Sequence, residues 1–312
     1  MIKRTLYFGN PAYLSMQNQQ LVLRLPEIDK NTSLPLLFKK QIEASVPIED
    51  IGMVVIDHRQ ITLTHDLCET LIDNNSAIVW CNSKHHPTAL TLSMAGNDTL
   101  SEKTRFQIDA SESLKKQLWK QTIEAKILNQ AAVLGQLGYP NDDLKFMAKN
   151  VQSGDPTNVE GRAAARYWEK ILAKFNTTRG QFEAPPNNYL NYGYAILRAC
   201  VARSLVCSGL LPVLGIHHRN KYNAYCLADD IMEPYRPLVD KWVLDYIEAE
   251  QKLVEDLGTD EKRHILNLMN IDVEIEQKMS PLMIATQRTT ASLMRCFMGE
   301  SRKISYPITP NP

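Results

Sequence analysis

Residues 215–240, GIHHRNKYNAYCLADDIMEPYRPLVD, combine a polar half with a helical half. The first half, centred on residues 217–223, has no apolar period, which predicts a loop that delivers side chains to a cleft. The second half predicts a helix on which Asp229, Asp230 and Glu233 share one face while apolar side chains pack on another. Three carboxylates on one face repel each other, so the face is either solvated or binds a cation. An imidazole with carboxylate oxygens is a ligand set that suits Mn²⁺ or Mg²⁺.

A further acidic residue stands at a predicted helix start upstream. The segment DPTNVEGRAAARYW offers two N-caps, Asp155 and Asn158, and its proline is tolerated in a first turn. Glu160 then lies near the helix N-terminus, and the three alanines that follow allow another element to approach closely. The predicted metal ligands, contributed by three places in the chain, are Glu160, His218 and Glu233.

Segments of this region resemble the three signature blocks of a known family. They are residues 160–168 (EGRAAARYW), residues 191–197 (NYGYAIL), and a last block split between residues 215–218 (GIHH) and 227–236 (LADDIMEPYR). In this order they resemble the CRISPR-associated spacer integrase, the adaptation endonuclease shared by most CRISPR systems. The resemblance runs from about residue 112 to the C-terminus, and the last block is most similar to the type II branch.

The resemblance implies a metal-dependent endonuclease and integrase that joins the 3′-hydroxyl ends of short DNA fragments to a CRISPR repeat by phosphodiester transesterification. Its cofactor would be Mg²⁺ or Mn²⁺. The family's ligands are a Glu before a Gly-x-Ala-Ala block, a His three residues after a Gly, and the Glu of an Asp-x-x-Glu pair. They carry over to Glu160, His218 and Glu233. Because His217 and His218 are adjacent, only the spacing from Gly215 favours His218.

Supporting roles around this predicted site stay open at the level of sequence. Asp230 can bind a second ion, tune Glu233, or hydrogen-bond His218. The resemblance places Asn191 and Tyr194 at the border of the cleft, and simple packing is the alternative. The candidate DNA contacts are Arg162, Arg166 and Arg236, with an ion pair to Glu233 or Asp240 as the alternative for Arg236.

The resemblance also implies partners. They are double-stranded DNA as spacer precursor and repeat, a second copy of the chain in a homodimer formed largely through the β-rich domain, a small ferredoxin-like adaptation subunit, and the RNA-guided effector nuclease of the system. Two rival functions are compatible with the residues alone. One is a stand-alone metal-dependent DNA repair nuclease that uses water as nucleophile. The other is a non-catalytic DNA-binding assembly protein whose acids are structural.

The predicted fold class is α+β, with a small N-terminal β-sandwich-like domain followed by a larger all-α catalytic domain. Turn residues punctuate short apolar runs in residues 1–90, residues 91–102 predict a linker, residues 103–304 have helical periodicity, and residues 305–312 predict a proline-rich tail. The predicted strands are residues 4–8, 20–25, 52–57, 60–64 and 77–81, with a hairpin turn at 57–60. The predicted helices are residues 64–74, 109–135, 142–152, 157–175, 189–208, 225–249, 260–268 and 283–299.

The charge of the chain is balanced but unevenly distributed. The 312 residues carry 35 Lys and Arg against 35 Asp and Glu. Residues 1–100 sum to −2, residues 101–240 to +4 and residues 241–312 to −2, so a nucleic-acid surface is expected in the middle of the chain. The lysines predicted on the solvated face of the first long helix, with a phosphate-binding ridge as the alternative, are Lys115, Lys116, Lys120 and Lys126.

Cysteine usage and hydropathy exclude several classes. The six cysteines have no Cys-x-x-Cys spacing, which predicts reduced thiols rather than a disulfide framework or a structural zinc site. No apolar run reaches membrane-spanning length, and the N-terminus lacks the long apolar region of a signal peptide. A cytoplasmic location is expected.

Overall fold

The structure is a computed structural model that describes residues 3–26, 44–180 and 184–309. The chain forms two compact units, Met1–Gly96 and Asn97–Pro312. The division falls within the predicted linker, residues 91–102. This range is not a linker throughout, because a strand extends to Thr91 and a helix begins at Leu100.

Two four-stranded sheets are present among the described residues of the first unit. The strands are β1 Arg4–Phe8, β2 Ala12–Gln17, β3 Gln20–Arg24, β4 Ala44–Pro47, β5 Ile51–Ile56, β6 Ile61–Leu63, β7 Ala77–Cys81 and β8 Pro87–Thr91. One sheet has the order β1-β5-β7-β8 and the other the order β4-β3-β2-β6. Helix α1, His65–Asp73, begins after Thr64, whose hydroxyl accepts a hydrogen bond from the amide of Leu67.

Both sheets and α1 contribute to one apolar core in this unit. Leu14 and Leu21 come from one sheet, Val54 from the other and Leu71 from α1. Strand β5 is buried along its whole length, as expected for a central strand that pairs in parallel on both sides. The predicted hairpin at residues 57–60 was wrong, because β5 and the following β6 belong to different sheets.

The second unit is mainly helical. Its helices are α2 Leu100–Asp109, α3 Glu112–Gln136, α4 Asp142–Lys149, α5 Val159–Leu172, α6 Asn187–Cys207, α7 Cys226–Met232, α8 Arg236–Glu250, α9 Thr259–Asn267 and α10 Leu282–Phe297. Helix α3 is the longest of them and contacts α4, α5, α7 and α8. Among the described residues, none of the helices is both long enough and apolar enough to span a membrane.

The α+β class is confirmed, but the second unit is not all-α. An antiparallel hairpin, β9 Asp272–Ile275 with β10 Lys278–Pro281, precedes α10. Its two turn residues, Glu276 and Gln277, have φ of 52° and 61°. Such a turn usually contains Asn or Gly, and this sequence lacks that signal.

The predicted helix at residues 225–249 is interrupted. A single 3₁₀ turn, Glu233–Tyr235, separates α7 from α8. Pro234 and Pro237 explain the break, because proline has no amide hydrogen and its ring clashes with the preceding turn. Glu233 therefore lies at a junction between helices and not within a continuous helical face.

The predicted tail is ordered as far as the structure describes it. The amide of Ile308 donates to the carbonyl of Glu274 at 2.8 Å, and the hydroxyls of Tyr306 and Thr122 are 2.8 Å apart. Residues 305–309 thus pack on the hairpin and on α3. The rest of the predicted tail, residues 310–312, lies outside the described residues.

Candidate active site

Glu160 is held in the first turn of α5. Both predicted N-caps contribute: Asn158 Oδ1 accepts from the amide of Gly161 at 3.1 Å, and the carboxylate of Asp155 accepts from the amides of Val159 and Glu160 at 2.8 and 2.9 Å. These bonds satisfy amides that have no partner inside the helix. The backbone of Glu160 is therefore held in place independently of the contacts of its side chain.

Glu233 is buried in the turn between α7 and α8. The carbonyl of Pro234 accepts a hydrogen bond of 2.8 Å from the amide group of Asn129 on α3. The hydroxyl of Tyr235 lies 2.6 Å from that of Thr289 on α10. These contacts pin the turn to two other helices, so the position of Glu233 is set by tertiary packing.

Lys126 joins the two glutamates. Its ammonium contacts Oε1 of Glu160 and lies 2.6 Å from Oε2 of Glu233. The expectation that Lys126 lies on a solvated face was wrong, because the residue is only 7% exposed. Glu160 and Glu233, which are far apart in the sequence, thus converge on one cation.

The charges around Glu233 stabilise its ionised form. Burial by itself raises the pKa of Glu233, but the nearby charges of Arg236 and Lys126 outweigh burial and lower it. Nε of Arg236 lies 2.9 Å from Oε1 of Glu233. Burial likewise lowers the pKa of Lys126, and the charges of Glu233 and Glu160 outweigh it and raise the pKa. The group therefore contains a carboxylate and an ammonium that are both charged.

Asp230 organises the loop that carries His218. Its carboxylate accepts hydrogen bonds from the amides of Ile216, His217 and His218 at 2.7, 2.9 and 3.2 Å. It also lies 2.6 Å from Nδ1 of His218. A Cβ on Gly215 would lie 2.3 Å from the carbonyl oxygen of His218, so only glycine allows the chain to fold back in this way. Of the three roles open for Asp230, the hydrogen bond to His218 is the one observed.

The two adjacent histidines have different environments. The ring of His217 stacks on Trp119 with centroids 4.1 Å apart and an interplanar angle of 2°. The ring of His218 is oriented by Asp230, and this hydrogen bond is the main cause that raises the pKa of His218. A carboxylate on one ring nitrogen is the usual support of a metal-binding histidine, and it leaves Nε2 to coordinate. This arrangement favours His218 over His217 as the ligand.

The predicted face of three carboxylates is divided in the structure. Asp229 pairs with Arg198 at 2.6 Å and accepts from Asn223 at 2.7 Å, while Asp230 supports the loop and Glu233 meets Lys126. Each carboxylate has its own partners, so the expected repulsion within one face does not arise.

A cavity of about 380 Å³ adjoins the two glutamates. Its other polar and aromatic lining side chains are Lys126, Trp168, Arg179, Asn191, Tyr194 and Arg236. Asn191 accepts a 2.7 Å hydrogen bond from Arg179, and the guanidinium of Arg236 lies 4.7 Å from the ring centroid of Tyr194. The structure thus places Asn191 and Tyr194 on the wall of this cavity. His218 does not line this cavity and instead lines a separate one of about 370 Å³.

The three candidate DNA contacts differ in exposure. Arg162 and Arg166 lie on the outer side of α5, where Arg166 is 3.6 Å from Asp143 and 4.0 Å from Glu169. Arg236 is largely buried and bound to Glu233, which is the ion-pair alternative considered for it. Its charge is therefore used within the protein.

The donor set fits a divalent ion, although its members are not gathered around one point. Within the described ranges, no group of three His, Cys, Asp or Glu side chains has the geometry of a metal site. Oε2 of Glu233 is nevertheless buried, and no described group forms a well-aligned hydrogen bond with it. Two carboxylates that share one cation, beside an imidazole supported by a carboxylate, are ligands that Mn²⁺ and Mg²⁺ accept.

Sequence reasoning missed the inner side of α3. Trp119, Lys126 and Asn129 are all buried there and contact His217, the two glutamates and the turn of Glu233 respectively. The signal was present, because these residues recur at helical spacings that put them on one face.

Comparison with known proteins identifies relatives over most of the chain. The family model described as "CRISPR associated protein Cas1" matches residues 7–272. A "CRISPR-associated endonuclease Cas1" from Neisseria meningitidis serogroup C (strain 8013) is 33% identical over 296 residues, which are 94% of this chain and 91% of the relative.

Solved structures share the fold at lower identity. A casposase bound to its integration product superposes with a TM-score of 0.76 at 22% identity, covering 97% of this chain and 92% of the casposase chain. A chain of a Cas6-RT-Cas1–Cas2 complex superposes with a TM-score of 0.71 at 18% identity, covering 96% of this chain and 35% of the other. At these identities the likeness shows the fold.

Proposed function

Because the chain belongs to the Cas1 family of CRISPR-associated proteins, we infer that it is a DNA endonuclease and integrase of CRISPR adaptation. The family match extends through both units, so the assignment applies to the chain as a whole. Its substrate is double-stranded DNA, and its reaction joins a 3′-hydroxyl end to a phosphodiester of the repeat.

The observation that carries the chemistry is the convergence of Glu160 and Glu233 on one cation, with the supported His218 near enough for its charge to act on Glu233. We propose that these three residues hold Mn²⁺ or Mg²⁺. When bound, the ion would act as a Lewis acid on the phosphodiester and orient the attacking hydroxyl, a contribution of several kcal/mol.

The remaining residues position the ligands and the substrate. Asp230 fixes the ring of His218 and the backbone of its loop, and Arg236 holds the second oxygen of Glu233. Arg179 extends the positive lining of the cavity, where a DNA phosphate beside the glutamates would meet it. The ion pair between Arg236 and Glu233 is strengthened by the burial of Glu233, because the dielectric around a buried charge is lower than that of water.

One assay separates integration from the two rival functions. A short duplex with either 3′-hydroxyl or 3′-dideoxy ends is incubated with a supercoiled plasmid carrying a CRISPR repeat, with Mn²⁺ or with chelator. An integrase joins only the 3′-hydroxyl duplex and only with metal. A repair nuclease cuts the plasmid equally with both duplexes, and an assembly protein binds DNA without breaking or joining a strand. Either of the last two results would overturn the proposal.

We further propose that the enzyme works as a homodimer and assembles with a Cas2-type adaptation subunit in the cytoplasm. The support is the family resemblance, together with a structural neighbour that is described as a complex containing Cas1 and Cas2. Light scattering of the purified chain should give the mass of a dimer, and a monomeric mass at micromolar concentration would contradict this. Contact with the RNA-guided effector nuclease is tested by co-purification with that protein.

A further inference from the structure

Lys126 occupies the position between the two glutamates where the proposed metal ion belongs. Its side chain is 9% exposed, and that of Glu233 is 8% exposed. The ammonium approaches one oxygen of each glutamate, and these two residues are proposed metal ligands. A lysine buried among carboxylates depends on them to balance its charge, because little water reaches it at this depth.

The charges of the group balance only while the lysine stays in place. Glu160 and Glu233 contribute two negative charges, and Lys126 and Arg236 contribute two positive charges. A divalent ion added to the same oxygens would meet the ammonium within a few ångströms. Because like charges repel, a divalent ion on these oxygens would weaken the contact of the ammonium with them.

We propose that Lys126 is the intramolecular counter-ion of the metal-free site, that the divalent ion displaces it, and that the displaced ammonium then binds a phosphate of the DNA. The proposal rests on the function inferred above. It extends that function by adding a residue that connects metal binding to substrate binding.

The cavity beside the glutamates gives the displaced ammonium a place to go. Lys126 already lines this cavity together with Arg179 and Arg236. A lysine side chain has a flexible four-carbon stem, so its ammonium can leave the carboxylates without movement of α3. A DNA phosphate in the cavity would then restore the negative charge that the metal-loaded group lacks.

The first experiment measures metal affinity by calorimetry on the whole protein. Lys126→Met keeps an unbranched side chain and removes its charge, and we expect it to bind Mn²⁺ about tenfold more tightly or better, because a competing cation is gone. Lys120→Met is the matched control. Lys120 lies on the same helix, pairs with Glu124 at 3.4 Å, and is 34% exposed. Its loss should leave the affinity unchanged.

Melting of the same proteins distinguishes this role from a simple ion pair. In chelator, Lys126→Met should melt at a lower temperature than the wild type, because two carboxylates have lost their counter-ion. Saturating Mn²⁺ should restore most of the difference. A variant that melts lower by the same amount with and without Mn²⁺, at unchanged affinity, would show that Lys126 is only structural.

A measurement on the wild-type protein does not depend on whether the variant folds. Reductive methylation with formaldehyde, followed by mass spectrometry of the peptides, reports the accessibility of each lysine. Lys126 should react slowly in chelator and several-fold faster with Mn²⁺, while Lys120 should react at one rate. Equal labelling of Lys126 in both conditions would overturn the displacement.

The phosphate contact is tested with a short duplex that has 3′-dideoxy ends. Lys126→Met should weaken DNA binding in Mn²⁺ and leave binding in chelator unchanged. Weakening in both conditions, or in neither, would contradict the contact. If neither the wild type nor the variant binds Mn²⁺ at all, the metal site itself fails. If the wild type binds Mn²⁺ and the variant binds it no more tightly, only this inference fails.

Discussion

At the scale of single residues, Glu233 is the proposed ligand whose charge is most enclosed by the protein. It is a buried carboxylate between Lys126 and Arg236, and its neighbour Pro234 prevents a regular helix at this point. A structural ion pair and a metal ligand would both explain its burial. The two roles predict different results when only its charge is removed.

We expect Glu233→Gln to lower strand joining by about a hundredfold or more, because a coordinating oxygen loses its charge. DNA affinity should stay the same or rise slightly. The free energy of unfolding should fall by about 3 kcal/mol, because Lys126 and Arg236 keep buried charges that have lost a partner. Joining, filter binding and thermal melting are measured on one preparation.

Glu169→Gln is the control for this change, because Glu169 is exposed on α5 and also lies in the second unit. It removes the same charge and should affect none of the three measurements strongly. A folded Glu233→Gln protein that joins ends at the wild-type rate would exclude Glu233 as a metal ligand.

A second residue predicts how stability depends on pH. Asp240 is buried and accepts hydrogen bonds from the hydroxyls of Tyr167, at 3.0 Å, and Tyr194. Burial raises its pKa from 3.8 to about 6, against the opposing effect of these bonds and of Arg179 and Arg236. Between these two values the folded protein keeps a proton that the unfolded chain releases. Stability therefore falls as pH rises through this window, by about 3 kcal/mol in all.

Asp240→Asn should remove this fall, because the amide does not titrate and still serves both tyrosines. Urea unfolding is measured at about pH 4.5, inside this window, and at about pH 7, above it, and is followed by tryptophan fluorescence. Three of the four tryptophans, Trp119, Trp168 and Trp242, lie in the second unit. Asp245→Asn, at a half-exposed position paired with Lys241, is the control. An unchanged difference between the two pH values in Asp240→Asn would refute the assignment.

Residue types and spacing select candidate site residues, but they do not predict which side chains those residues contact. The family blocks propose Glu160, His218 and Glu233 as metal ligands, and this role stays a prediction. The burial of Lys126 was not predicted, because a lysine on an amphipathic helix usually faces water. Its buried position is favourable only because α5 and the Glu233 turn both bring a glutamate to it. Helical spacing shows that Lys126 shares a face with Trp119, but it does not show that two glutamates from elsewhere in the chain meet that face.

At the scale of elements, α3 is the scaffold of the site. One side of it supplies Trp119 to the histidine loop, Lys126 to the glutamates and Asn129 to the turn of Glu233. Periodicity predicted the existence and type of most helices, but it missed α2, Leu100–Asp109. The break at Glu233–Tyr235 was missed although Pro234 and Pro237 were visible, because prolines are also tolerated in a first helical turn.

Asn129 is the residue through which α3 holds two other segments. Its side-chain amide group donates to the carbonyls of Pro234 and Pro307 at 2.8 and 3.0 Å, and its oxygen accepts from the amide of Thr309 at 2.9 Å. We expect Asn129→Ala to reduce the free energy of unfolding by about 3 kcal/mol, since three buried hydrogen bonds lose a partner. It should also slow strand joining, because the turn of Glu233 is released.

Asn150→Ala is the matched control. Asn150 follows the end of α4, and its side chain donates an exposed hydrogen bond of 2.7 Å to the carbonyl of Phe146 in that helix. Urea unfolding and joining are compared for both variants. If Asn129→Ala is destabilised but joins ends at the normal rate, the anchor supports the fold and not the site.

At the scale of the whole molecule, a chain with equal numbers of acidic and basic residues binds DNA through their placement. The middle of the chain is net positive, as counted from sequence, even though it contains the proposed ligands. The structure divides the three arginines predicted to contact DNA into two groups. Arg162 and Arg166 lie on the outer side of α5, whereas Arg236 is committed to Glu233. On sequence alone these three had the same candidate role, because burial depends on the elements packed around them.

This division predicts different effects on DNA binding. Replacing Arg162 and Arg166 together by Ala should weaken binding to every sequence alike and reduce the slope of log affinity against log salt by about 2, one for each lost phosphate contact. The charges of the site stay intact, so joining at saturating DNA should remain near normal.

Arg236→Lys should do the opposite, because a lysine cannot keep the same contact with Glu233 and Tyr194. It should lower the rate of joining and leave the salt slope unchanged.

For both predictions, affinity is measured by fluorescence anisotropy between about 50 and about 200 mM salt, a range over which about six contacts change affinity by orders of magnitude. Glu169→Gln, which frees Arg166 from one of its weak ion pairs, should tighten binding slightly. If the double variant keeps the wild-type slope while Arg236→Lys reduces it, α5 does not carry the DNA surface, and the outer arginines have been assigned to the wrong side of the molecule.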